Sequence, residues 1–288
     1  MANRYLKELQ QAVKLRYSGK TRSLIRHPVK EIYWQFTRRS GLTQKVVADL
    51  FFGESMLVVL PEVVSSWLYR YGFFEEGLTT MVCEYLQEGM TFVDVGAHFG
   101  YYTLLASSII GSAGHVYSFE PSRGTFKILE HNIESKRNIS LNRAAVFSDN
   151  RLLRFNDYGL VFSAFNSFTR GRLSETVLAK IKPEEVEVEA VSLDSYFSDR
   201  EFHPNFVKID AESAEYEILI GMQRIIELYR PIISIEVGDM NIPGIKSSRE
   251  CVMFLIERGY KPFEYCNNRI TEHQLRDSYN YGNILFIP

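Results

Sequence analysis

The feature that most constrains this chain is an alternation beginning at Leu78. Strand-length apolar runs are followed, again and again, by segments with helical patterning. Leu78, Met81, Val82, Tyr85 and Leu86 fall on one helical face, and Gly89 follows as a stop. Residues 91–95 form a short apolar strand ending at Gly96. A helix over 101–110, a strand over 115–119, a helix over 125–133 and a strand over 141–147 come next. The rhythm breaks across 150–193, where 186–191 alternates strictly and predicts an antiparallel insertion near the site. It resumes with strand 206–209, helix 214–228, strand 231–237, helix 249–258 and two last strands, 260–265 and 283–287. Parallel strands need such crossovers, so the pattern predicts an α/β fold with a doubly wound sheet. Ligands of such sheets bind at the carboxyl ends of the strands.

Ahead of the alternation, residues 1–40 read as helical, with breaks near Gly19 and at His27-Pro28. Residues 46–70 fit either strands or a helix packed on the main domain. The expected division is a mainly helical extension over 1–70 and a main domain over 71–288. The extension is basic: residues 1–45 hold eleven Lys/Arg against Glu8 and Glu31, a net of +9. The remaining 22 basic and 33 acidic residues give −11. Such an arm is either a solvated helical face or a contact for something anionic, a membrane surface or an acidic carrier protein, with nucleic acid last for want of interleaved aromatics. The N-terminus lacks the apolar core of a signal peptide, and no run is long enough to span a bilayer. Cys83, Cys251 and Cys266 suggest neither a disulfide framework nor a zinc site. The expectation is a soluble, cytoplasmic protein; oligomeric state is not legible.

The richest segment is Asp94-Val95-Gly96-Ala97-His98-Phe99-Gly100. It lacks the G-x-G-x-x-G of a nicotinamide site, and no Tyr-x-x-x-Lys set accompanies it, which disfavours an oxidoreductase. Glycines at 96 and 100 would let the backbone approach a nucleoside. Glu120 ends the next strand, 26 residues after Asp94, where an acid can accept from both ribose hydroxyls. Asp210 ends a third strand, and Glu236 the one after it. Four acids at four parallel strand ends suit a nucleoside carrying positive charge. Glu212 and Glu215 are also ordinary first-turn helix acids.

In these stretches the chain resembles the FkbM-type S-adenosylmethionine-dependent methyltransferases. The likeness lies in Phe92–Gly100, Phe119-Glu120-Pro121, Val191-Ser192-Leu193-Asp194, 206–212 and Ile235-Glu236-Val237, with Gly72-Phe73-Phe74-Glu75 as the lead-in. It covers roughly 50–240. The resemblance implies a class I methyltransferase fold, Rossmann-like, with a seven-stranded sheet whose last strand is antiparallel. It implies S-adenosyl-L-methionine as cofactor, bound by Glu75, Asp94, Gly96, Ala97, His98, Gly100, Glu120, Pro121 and Asp210. It implies O-methylation of a hydroxyl on a small molecule, sugar or polyketide-type product.

Two positions depart from the family: His98 stands where Asn is usual and Ser213 where Gly is usual. His98 can hydrogen-bond and titrate near neutrality, or be a polar turn residue only. Ser213 can cap the following helix. The proton of an acceptor hydroxyl would go to Glu236, His98 or Glu212, with Asp210 facing the cofactor. The Asn-Pro-Pro-Tyr loop of amino-methylating enzymes is absent, and no metal set is spaced for binding. Asn156, Tyr158, Phe162, Phe165 and Phe168, with the loop 238–248, are acceptor-contact candidates; the aromatics fit an insertion core equally. The alternative function is a non-catalytic nucleoside-binding module with residues 1–60 as its docking arm.

Overall fold

The computed structural model describes residues 2–17, 28–169, 181–200, 203–239 and 242–288. Its centre is an eight-stranded sheet in the order β12-β11-β13-β10-β9-β3-β4-β5. The strands are β3 (Thr91–Val95), β4 (His115–Phe119), β5 (Ile139–Asn142), β9 (Phe206–Ile209), β10 (Ile232–Val237), β11 (Lys261–Cys266), β12 (Arg269–Glu272) and β13 (Gly282–Ile287). Five run parallel, from β10 through β9, β3 and β4 to β5. The last strand, β13, is antiparallel to both β10 and β11, as expected. The eighth strand, β12, was not foreseen. It is the return arm of a hairpin whose two-residue turn, Asn267-Asn268, has φ of 50° and 60°, a turn that matches strand twist.

The central strands are buried runs. Every residue of Phe206–Ile209 is buried, Lys208 included. The helix following β3, Tyr101–Ile110, buries all but one of its residues, which explains its nearly uniform apolar character. Two expected elements divide. The strand expected over 141–147 is β5 plus a short β6 (Ala145–Val146) that joins another sheet. The helix expected over 214–228 is Glu215–Ile220 and Gln223–Tyr229. Gly221 lies between them, where a Cβ would stand 2.1 Å from the Phe147 carbonyl oxygen. The insertion is β7 (Arg151–Asp157) antiparallel to β8 (Glu184–Val191), with β6 parallel on the other side of β8. Residues 170–180 lie outside the described residues.

In the N-terminal segment both readings of residues 46–70 have a part: β1 (Gln44–Asp49) and β2 (Ser55–Leu60) form an antiparallel hairpin, followed by helix Val63–Tyr71. The first helix packs on the main core. Tyr5 and Leu9 of helix Ala2–Tyr17 are buried in the same core as Phe92 and Leu105, and the Tyr5 hydroxyl donates to the Ser108 carbonyl at 2.7 Å. Gly19 and His27 lie outside the described residues.

Candidate functional site

The turn after β3 is built for close packing against protein. Gly96 has φ +73°, and a Cβ there would lie 1.8 Å from the Asp210 carbonyl oxygen; one at Gly100 would lie 2.5 Å from Leu129. The glycines therefore admit a neighbouring strand end and a helix side chain; Gly96 also lines the cavity, as expected of a cofactor contact, whereas Gly100 does not. The Gly96 and Ala97 N–H groups both donate to the Phe119 carbonyl, at 3.1 and 3.0 Å.

Asp94 requires a correction. Its side chain is fully buried beneath the turn and does not line the cavity. Its Oδ2 accepts from the Thr103 hydroxyl at 2.6 Å, and its Oδ1 stands 3.2 Å from Lys208 Nζ. Lys208, which the motif reading passed over, is only 2% exposed and reaches the Gly96 carbonyl at 3.2 Å and Asp210 at 3.5 Å. Burial pulls its pKa down, but Asp94 and Asp210 outweigh that and hold it above the usual lysine range. The row of acids is thus not purely anionic; a buried ammonium ties two of its members to the glycine turn. A lysine inside a four-residue apolar strand was the available signal.

Glu120 does face the cavity and is 6% exposed. Its Oε2 accepts from the His98 N–H at 2.9 Å and its Oε1 from the Ser122 N–H at 3.0 Å. Each oxygen keeps a further lone pair for a ligand hydroxyl. Burial raises the carboxyl to about 7, against the downward pull of those two N–H groups.

His98 has φ +52° and shares a 2.7 Å hydrogen bond between its Nε2 and the Ser163 hydroxyl. Burial, with the Lys208 charge, drives its pKa down to about 3, so it does not titrate near neutrality and is a weak proton acceptor. Glu75, at φ +45°, accepts from the Tyr281 hydroxyl at 2.6 Å and the Tyr102 hydroxyl at 3.2 Å. Glu212 has φ +47° and Ser213 φ +85°. Ser213 does not cap the helix; Ala214 occupies the cap without a side-chain bond, and the Glu215 carboxylate takes the Ala211 and Ser213 N–H groups, both at 3.2 Å. Among the described residues, four of the seven non-glycine residues with positive φ are Glu75, His98, Glu212 and Ser213. Backbone strain of this kind gathers where geometry serves a ligand.

A cavity of about 470 Å³ takes in His98, Glu120, Asp210, Glu212 and Glu236, whereas Glu75, expected at the cofactor, stands behind its wall with Asp94 and Gly100 and does not line it. Its floor, at the carboxyl ends of the strands, is made by Gly96, Ala97, Glu120, Pro121, Asp210, Glu212 and Glu236. Glu236 is 3% exposed and sits opposite Asn283 in the β10–β13 ladder. One end is a shelf of Ala144, Ala145, Val146, Phe155 and Phe168. The roof comes from Met56, Val63, Val64 and Leu68 of the N-terminal segment, which was unforeseen, and from Ser163–Asn166 of a 3-10 turn in the insertion, which was expected near the site. Of the acceptor candidates, Phe165 and Phe168 line the cavity, whereas Asn156, Tyr158 and Phe162 do not; Asn156 instead donates to the Thr169 carbonyl at 2.7 Å. The described part of loop 238–248 lines a smaller hollow of about 90 Å³ on the other side of Glu236. Among the described residues no cluster of three or more His, Cys, Asp or Glu could hold a metal ion.

The sheet order, the antiparallel last strand and the strand-end site are those of the class I, Rossmann-like methyltransferase fold. The sequence matches the methyltransferase FkbM domain over residues 94–262, more than half of the chain, and the protein belongs to that family. Among solved structures, it is similar to a methyltransferase FkbM from Methylobacillus flagellatus, with 15% identity over 68% of this chain and 43% of that one, TM-score 0.43. It is also similar to fibrillarin from Aeropyrum pernix in complex with S-adenosyl-L-methionine, with 11% identity over 70% and 68% of the two chains, TM-score 0.40. A third is a SAM-dependent O-methyltransferase from Thermotoga maritima, with 10% identity over 82% and 74%, TM-score 0.41. The chain spans less than half of the first of these. No curated protein matches.

The cofactor is S-adenosylmethionine, and the donor set fits it. Glu120 offers two carboxylate oxygens, suited to a ribose diol, and the apolar shelf suits a flat base. Asp210, Glu212 and Glu236 place three further carboxyl groups on the floor.

Proposed function

We propose that the protein is an O-methyltransferase acting on a hydroxyl carried by a small, largely apolar molecule. The observation behind this is the composition of the cavity: carboxylates on one wall, and Met56, Val63, Val64, Leu68, Phe74 and Phe165 on the others. Such a roof offers a sugar few partners, Ser163 and Asn166 being already engaged with His98 and the Tyr158 N–H, and each buried hydroxyl left unpaired carries a cost. A polyketide-like body with a single hydroxyl suits it better.

When bound, S-adenosylmethionine supplies a methyl group on a cationic sulfur, open to in-line attack by oxygen. The chain's residues do the rest. Glu120 anchors the ribose, and Lys208 holds Asp210 and the Gly96 turn in register. The roof excludes water and orients the alcohol, and such alignment lowers barriers strongly. The hydroxyl proton would pass to a carboxylate as the oxygen–carbon bond forms and the methyl–sulfur bond breaks, its electron pair staying on the sulfur as a neutral thioether. Glu236, buried at a strand end, fits this task better than His98, whose imidazole is a weak base here.

The test has two parts. Calorimetry with Glu120→Ala is expected to show S-adenosylmethionine binding weakened by about ten- to a hundredfold, the value of one or two bonds to a charged acceptor. Labelled methyl transfer to a panel of apolar alcohols and sugars is expected to favour the alcohols. Tight cofactor binding without transfer to any acceptor would point to a non-catalytic module.

A further inference from the structure

Helix Pro28–Ser40 is turned inside out. Against the fold it buries Glu31 and Thr37, and Glu31 pairs with Arg70 through two contacts, 2.9 and 3.2 Å. Its outward face carries Val29, Ile32 and Phe36, which are 76%, 63% and 56% exposed and fall at i, i+3 and i+7. A surface helix ordinarily does the reverse, and an apolar stripe left outside marks a contact surface. Leu42 and Val47, just downstream, are exposed as well.

The charge here is mainly of one sign. Over residues 28–49 the acids are Glu31, buried against Arg70, and Asp49, exposed and paired with Lys30 at 2.9 Å, while Arg38, Arg39 and Lys45 are exposed. The whole of residues 1–45 carries +9 against −11 on the remainder. We propose that this face docks on an anionic lipid bilayer, with Val29, Ile32 and Phe36 entering the headgroup–acyl boundary and the three cations meeting the headgroups. An apolar stripe beside Lys/Arg is the pattern of a helix lying in the interface plane. The acidic remainder is repelled by the same surface, which fixes which side faces it. A second copy of the chain suits the face less, because a twofold contact would set the same cations against each other. Among the described residues no helix is long and apolar enough to cross a membrane, so the contact is peripheral.

Flotation of the full chain with phosphatidylcholine vesicles, with and without phosphatidylserine, tests this. The protein is expected to float with the anionic vesicles, to release in high salt, and to stay behind with the neutral ones. I32S/F36S is expected to lower partitioning about tenfold or more, and R38Q/R39Q about tenfold. All four side chains are exposed, so thermal melts and S-adenosylmethionine affinity should match the parent chain. Should I32S/F36S fail to fold, R38Q/R39Q and the salt dependence of the parent chain still decide. Equal partitioning onto both vesicle types, or variants that bind as well as the parent, would overturn the proposal. So would a dimer dissolved by I32S/F36S in a chain that ignores vesicles, which would assign the face to a second copy.

Discussion

At the scale of single residues, Glu120 carries the sharpest consequence. Burial lifts its carboxyl to about 7, above the usual carboxylate range, while the His98 and Ser122 N–H groups restrain the rise. Only the ionised form accepts from two hydroxyls at once. Above about pH 7 the group is ready; as pH falls through that value it takes a proton and loses an acceptor. For folding stability the sign is opposite: the buried ionised form is disfavoured, so stability declines as pH rises from the ordinary carboxylate pKa to about 7. Affinity for S-adenosylmethionine should therefore fall up to about tenfold for each pH unit below 7. Titration calorimetry across that range checks it, and Glu120→Gln should flatten the curve; a parent profile already flat would discard the idea. Glu120 was legible in the sequence because a strand end and a spacing from Asp94 mark it. Lys208 was harder to read: its strand and Asp210 are local, but Asp94 and the Gly96 carbonyl, which give it its meaning, come from a stretch far away in the chain.

At the scale of elements, the two backbone exceptions beside the cofactor end predict opposite results. Gly96→Ala forces a Cβ into the Asp210 carbonyl at φ +73°, where backbone cannot yield cheaply. A loss of about 2–4 kcal/mol, from overpacking plus left-handed strain, should appear in urea unfolding. Ser213→Gly relieves a φ of +85° and should gain about 0.5–1 kcal/mol, with tighter cofactor binding if the turn then settles. A destabilised S213G would mean the serine's own contacts outweigh the strain. The strands 91–95, 115–119 and 206–209 were readable to the residue, because short buried runs bounded by turn residues admit little slippage. The break at Gly221 was not readable: it is imposed by the Phe147 carbonyl, a contact between residues far apart in the chain. The β12 strand hid because a polar four-residue run has no periodicity of its own, and only the Asn267-Asn268 turn announces it.

At the scale of the whole molecule, the cavity joins what the sequence kept apart. The floor was foreseen from strand ends, but half of the roof belongs to residues 56–68, read as part of an outlying extension. Val63 is 43% exposed at the rim of the cavity, so a larger side chain there has room to fold and should narrow the mouth. Val63→Trp is expected to raise the acceptor KM about tenfold with S-adenosylmethionine affinity unchanged. Steady-state kinetics beside calorimetry separates the two, and an equal loss of both would mean the roof also holds the cofactor.

That division of the enclosure carries an evolutionary corollary. The donor end hangs on strand termini locked by Lys208 and cannot drift far. The ceiling is borrowed from a hairpin, a short helix and an insertion turn; it supplies neither Asp94 nor Asp210, and meets the glycine turn through the Ser163–His98 hydrogen bond. Descendants of this chain could therefore exchange one alcohol for another by altering a few ceiling side chains, with the methyl-supply machinery inherited intact.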